Sequence, residues 1–243
     1  MSFRKTLPIL TILTCALTFS GQAQRTKTLW LDVRTGLNSN FIVNQNAYGN
    51  GEQAYTTTLG LTTGLGATYF LSYNWGANVS VNWTKLGQKY SGLQSSGEAI
   101  RKIKLNYVEI PLLAMHRIGR PTKLTWIAFG PDILILANAK QEYERVNGSP
   151  LPFPENMVEG TTIIKDRFKP VDVALYVSLN KIYDIFQNRD FRLMISANMA
   201  LGLTDINSKI WQTPNMHGKY AGSHNLSMGI KAALMYKSYV RKN

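Results

Sequence analysis

The chain has 243 residues, enough for one large domain or two small ones, with 27 Lys+Arg against 14 Asp+Glu and one cysteine. That cysteine, Cys15, falls in an apolar leader, so the mature chain is expected to use no disulfide, thiol catalysis or Cys-ligated metal. In an exported chain the positive excess points to anionic lipid or lipopolysaccharide phosphates and away from nucleic acid.

The leader places Arg4 and Lys5 before "LPILTILTCALTF", followed by the small residues "GQA" at 21–23. This is a secretory signal pattern over 1–23, too short and wrongly flanked for a spanning helix. Residues 24–243 form the expected single mature domain. No later stretch has 18 consecutive apolar residues, so no transmembrane helix is expected. Transmembrane strands give a weaker signal and remain open.

Strict alternation then recurs along the chain. It begins in "LWLDVRTGL" (29–37), where Leu29, Leu31, Val33 and Leu37 oppose Trp30, Asp32, Arg34 and Gly36. Successive side chains of a strand point to opposite faces, so this pattern predicts a strand with one apolar face. A second strand is predicted in "LGLTTGLGATYFL" (59–71), with Leu59, Leu61, Leu65, Ala67 and Tyr69 on its apolar face. The third is "WGANVSVNW" (75–83), running on towards Tyr90. It sets Trp75, Ala77, Val79, Val81 and Trp83 against Gly76, Asn78, Ser80 and Asn82. That polar face carries only small uncharged groups, as a narrow, crowded interior requires.

The fourth and fifth strands, in 102–118 and 123–139, alternate less cleanly. Placing Glu109 on the polar face puts Lys104 and Asn106 out of phase, so a bulge is expected near Tyr107. Pro111 and the pair Gly130–Pro131 interrupt the ladders. Three further strands are predicted at 171–179, 191–203 and 225–236. Their polar faces include Asp172, Arg192 and Lys231.

The connections alternate too. Those at 38–58, 86–101, 140–168 and 204–224 are long, whereas "SYN", "RIGRPT" and "NKIYDIFQNRD" are short. Eight strands, an even count, with long and short loops at opposite ends predict an all-β, up-and-down antiparallel transmembrane barrel with periplasmic termini. Strands of 9–13 residues suffice to cross at a tilt. Eight strands enclose only a side-chain-filled lumen. Asp32, Arg34, Lys104, Glu109, Asp172, Arg192 and Lys231 are therefore expected to pair inside it, since an unpaired buried charge is costly. Tyr69, Trp75, Trp83 and Tyr236 fall near strand ends and are predicted as lipid-interface anchors. Basic residues near the short turns are expected to meet anionic lipid or a periplasmic partner.

The leader ending in "AQ", "GLTTGLGATYF", "LNYVEIPLL" and "FGPDI" together resemble the small outer-membrane β-barrel proteins of Bacteroidetes-type bacteria. These are often grouped with PorT, a protein linked to type IX secretion. The resemblance implies an eight-stranded outer-membrane barrel without an implied cofactor. A place in an outer-membrane protein complex is an expectation by analogy.

Two other readings are weighed. A lipid A-modifying enzyme would draw on His217 and His224, with Ser208, Ser223, Ser227 and Asp205 nearby, but "SHNLS" lacks a recognised nucleophile–base spacing. His116 is isolated, and no metal-ligand spacing appears. A soluble lipocalin-like carrier would need the Leu/Val/Trp face turned inward. The long 140–168 segment, stiffened by Pro150, Pro152 and Pro154, is a candidate binding loop.

Overall fold

A computed structural model describes residues 27–43, 54–94, 97–119, 124–146, 160–185, 190–212 and 220–241. Ten strands are present among them: β1 (Lys27–Val43), β2 (Ala54–Thr56), β3 (Thr58–Phe70), β4 (Trp75–Gln94), β5 (Gly97–Ile118), β6 (Thr125–Val146), β7 (Gly160–Ile163), β8 (Val171–Asp184), β9 (Phe191–Gly202) and β10 (His224–Arg241). Eight close an antiparallel ring in the order β1, β3, β4, β5, β6, β8, β9, β10 and back to β1. The short β2 continues β3 alongside β4, and β7 precedes β8 alongside β6. No described helix is long and apolar enough to cross a membrane. The expected leader lies outside the described residues.

The ring turns its apolar faces outward. Val33, Leu65, Val81, Val177 and Ile230 are exposed, while Asn78, Ser80, Asn82, Ser178, Asn198 and Ser227 are buried inside. A soluble carrier would need the reverse orientation. On β4 the outward positions stay apolar from Trp75 to Trp83, and the next, Lys85, is charged. Those eight steps span about 27 Å of strand, or about 21 Å of height at a ~40° tilt, close to the apolar band of outer-membrane barrels.

The lumen is apolar at its two ends and polar between them. Trp30, Phe70, Met115, Trp126, Ile182, Met194 and Met235 fill the short-turn end, with Phe70 and Trp126 ring centroids 4.9 Å apart. Ile42, Leu86, Ile103, Leu105, Ile164, Phe168 and Ile206 fill the long-loop end.

The structure corrects three sequence expectations. Segment 86–101 is largely strand, and 140–146 and 160–163 of the segment 140–168 are strand too, because β4, β5 and β6 run on past the apolar band and β7 pairs with β6. The bulge near Tyr107 lies in the facing strand: Asn106 pairs with Asn138 but Tyr107 with Leu136, leaving Ala137 as the extra residue on β6. β5 itself alternates without interruption, with Arg101, Ile103, Leu105, Tyr107 and Glu109 inward. Lys104 therefore points out of the barrel, where it pairs with Glu142.

Candidate functional site

β1 carries Asp32 and Arg34 to the same inner face, two residues apart, so their side chains meet. Nε and Nη2 of Arg34 donate to the two Asp32 carboxylate oxygens at 2.7 and 2.8 Å. Nη1 donates to Ser80 Oγ at 3.0 Å and Asn78 Oδ1 at 3.3 Å on β4. A bidentate, fully engaged guanidinium is the arrangement in which a buried charge is tolerated. Gly66 of β3 makes the space: a Cβ there would stand 2.1 Å from Arg34 Nη2.

One level towards the long loops, Lys231 of β10 donates to Glu109 Oε1 of β5 at 3.1 Å. The other oxygen of Glu109 accepts from Thr84 Oγ1. The Lys231 ammonium also lies 5.1 Å from the centroid of Tyr176. Gly36 of β1 lets the lysine stem lie flat against the wall, since a Cβ there would meet Lys231 Cγ at 2.5 Å. Asp132 of β6 joins the same level, buried, with Oδ1 lacking a hydrogen-bond partner. Two small voids border these groups, each with room for roughly one or two waters. Around them the described side chains fill the lumen.

Above this level Asp172 of β8 accepts from Thr204 Oγ1 at 2.5 Å and Asn225 Nδ2 at 2.9 Å. The described parts of the connection between β9 and β10, 203–212 and 220–223, are tied together at the long-loop end through Asp205. Its Oδ1 accepts from the backbone N–H groups of Ser223 at 2.9 Å and Asn207 at 3.1 Å. The Tyr220 hydroxyl and Gln212 Nε2 also donate to its carboxylate, and Lys169 Nζ lies 3.8 Å away. Partial burial alone would raise the Asp205 pKa. The backbone donors, Tyr220 and Lys169 outweigh it and hold the carboxyl below its ordinary value.

Of the residues expected in one lumen network, the structure joins Asp32 to Arg34 and Glu109 to Lys231. Asp172 meets polar rather than basic partners. Arg192 sits at the short-turn mouth, where it donates to Asp184 at 2.7 Å and lies 4.4 Å over the Trp30 ring. The outward aromatics Trp75, Trp83 and Tyr236 are each nearly half exposed, and Tyr69 is half-buried on the same face. Trp75 stacks on His116 at 4.5 Å, and Tyr236 packs with Phe191 at 5.2 Å. Sequence reasoning missed Asp132, Arg101 and Asp205 as structural charges. The parity of Trp126, Ala128 and Gly130 carries Asp132 inward, but the Gly130–Pro131 break obscures it.

The loop residues weighed for catalysis do not assemble a nucleophile and base among the described residues. Ser223 Oγ accepts from Asn207, Ser227 is buried in the lumen, and His224 Nδ1 has no partner. His217 lies outside the described residues. No described group of three or more His, Asp or Glu side chains is arranged to hold a metal ion.

An eight-stranded ring with an apolar outside and a filled polar inside defines a transmembrane β-barrel. Residues 21–208 match the outer membrane protein beta-barrel domain, and the chain belongs to that family. It is an outer-membrane barrel, a setting consistent with contact to lipid and lipopolysaccharide. No curated protein matches the chain. Among solved structures it is similar to Neisserial surface protein A, at 7% identity and TM-score 0.42 over 86% of this chain and 98% of that one. Similarity also extends to Ail of Yersinia pestis in complex with sucrose octasulfate, at 11% identity and TM-score 0.38 over 86% and 99%. OprG of Pseudomonas aeruginosa aligns at 10% identity and TM-score 0.34 over 90% and 100%.

Proposed function

We propose that this chain is a non-enzymatic outer-membrane barrel, with its long-loop end outside and its termini and short turns in the periplasm once the leader 1–23 is removed. It acts as a structural, loop-presenting protein or as an accessory subunit of an envelope complex. The observation that carries this reading is the closed lumen, bridged by Lys231 and Glu109 and plugged by apolar side chains at both ends. With no solute path inside, function falls to the loops and the outer surface. The likeness to Bacteroidetes-type, PorT-grouped barrels makes protein export one candidate setting, and there the role is accessory because no polypeptide passes an eight-stranded barrel.

Orientation is tested by thiol labelling of intact cells with an impermeant maleimide. Lys165→Cys should label and Ile185→Cys, at the short-turn end, should not; the opposite pattern overturns the orientation. Co-purification from detergent-solubilised outer membranes then tests the subunit role, which recovery of the barrel alone under crosslinking would sink.

The enzymatic alternative gathers Asp205, Ser223 and His224 in one neighbourhood, yet hydrogen bonds already hold Asp205 and Ser223 in the loop. His217→Ala and His224→Ala should leave the lipid A profile unchanged. A changed profile would establish catalysis.

A further inference from the structure

We infer that the outer face of β4, β5 and β6 seats the phosphorylated headgroup of a glycolipid carrying two phosphates, of the lipid A type. The inference rests on the proposed orientation only for which leaflet supplies the lipid. Four register rungs carry it. Trp83, Val108 and Ile135 form the last apolar rung on this face. The next is Lys85, Asn106 and Asn138, followed by Gly87, Lys104 and Lys140, then Lys89, Lys102 and Glu142. Five lysines thus stand on three neighbouring strands, directly beyond the apolar band.

Their pairing is incomplete. Lys104 pairs with Glu142, and Lys102 with Glu144 at 3.4 Å. Lys85, Lys89 and Lys140 have no acidic partner among the described residues, and Lys85 is exposed. At the short-turn end Arg192 and Lys237 are matched to Asp184 and Asp190, while Lys181 donates to Thr125.

The position selects the ligand. Acyl chains lie against the Trp83–Val108–Ile135 rung, and a headgroup phosphate then falls at the height of Lys85 and Lys140. These two are separated by β5 and by one rung, so their Cα atoms are about 12 Å apart at the strand spacing and rise of a sheet. One phosphodiester reaches one or two of the free ammonium groups. A headgroup with a phosphate at each end of a sugar pair engages all three. Each lysine near such a surface adds attraction that salt screens.

The test is native mass spectrometry of the full mature barrel titrated with bis-phosphorylated lipid A, dephosphorylated lipid A and phosphatidylglycerol. Wild type should bind the first at least tenfold more tightly than either of the others. Lys85→Gln/Lys89→Gln/Lys140→Gln should lose that preference, and Lys→Arg at the three positions should keep it. Equal affinity for phosphatidylglycerol, or an undiminished preference in a folded glutamine variant, overturns the inference. Should the glutamine variant not fold, the three wild-type titrations still decide. Because the measurement is made on purified barrel, it is independent of the cell-labelling result for orientation.

Discussion

Lys231 and Glu109 meet at 3.1 Å although they are 122 residues apart and belong to β10 and β5, which face each other across the ring. Three strands separate them in either direction, so this one ion pair spans the lumen. It is also asymmetric. Asp132 shares the level with a free Oδ1, and it lines the same small void as Glu109 and Lys231.

Breaking a buried pair by removing one partner typically costs about 3–5 kcal/mol, because the other charge is stranded. Lys231→Met leaves two carboxylates facing each other and should lie at or above that range. Glu109→Gln leaves Asp132 to accept from the lysine and should cost less. Reversible urea unfolding into detergent micelles or thin bilayers measures both. Equal losses would show that Asp132 takes no part.

Much of this arrangement was legible in the sequence, and the failures have physical causes. The alternation through 75–83 is uninterrupted because lipid outside and a narrow lumen inside constrain both faces of β4. The sequence reading places Lys104 inward by putting a bulge in β5, whereas uninterrupted alternation from Glu109 turns it outward. Past the apolar band the outer face is wet, so a lysine there costs nothing and the apolar-out rule lapses. The same change of medium made the extended ends of β4, β5 and β6 read as loops. The Lys231–Glu109 bridge lay beyond reach for a different reason: ring closure sets which strands face each other, and spacing along the chain does not contain it.

The outer face should tolerate charge poorly where the inner face tolerates polarity well. Val81 lies outward within the apolar run of β4, one outward position past its middle, and is more than half exposed. Val81→Arg should cost about 2–4 kcal/mol in bilayer folding, as cationic groups near the midplane of such barrels do. Ser80→Ala, on the inward side, removes one acceptor of Arg34 and should cost about 1 kcal/mol. A reversed order would place the lipid on the other face.

Closure of the lumen predicts an electrically silent protein. Reconstituted in planar bilayers, wild type should show no discrete, reproducible openings. Gly36→Ala should displace the Lys231 stem, because the wall on that side includes the Ile230 carbonyl 2.6 Å from the new Cβ. The variant should be less stable yet remain silent, since the apolar plugs at both ends persist. Regular single-channel steps from wild type would contradict a filled interior.

The connection folded over the long-loop end should release in acid. Asp205 has its pKa lowered, so its contribution is present above the ordinary aspartate value, about 4, and is lost as pH falls through the lower folded value. The backbone amides of Asn207 and Ser223 donate to this carboxylate and report on it directly. Their hydrogen-exchange protection, corrected for intrinsic rates, should be constant from neutral pH to about 4 and fall below it. In Asp205→Asn protection should be lower at neutral pH and show no such step, because the amide oxygen accepts without charge. Ile206, buried beneath the same connection, gives the overturning result. If acid leaves the amides protected in wild type, packing of Ile206 holds the loop and the carboxylate does not.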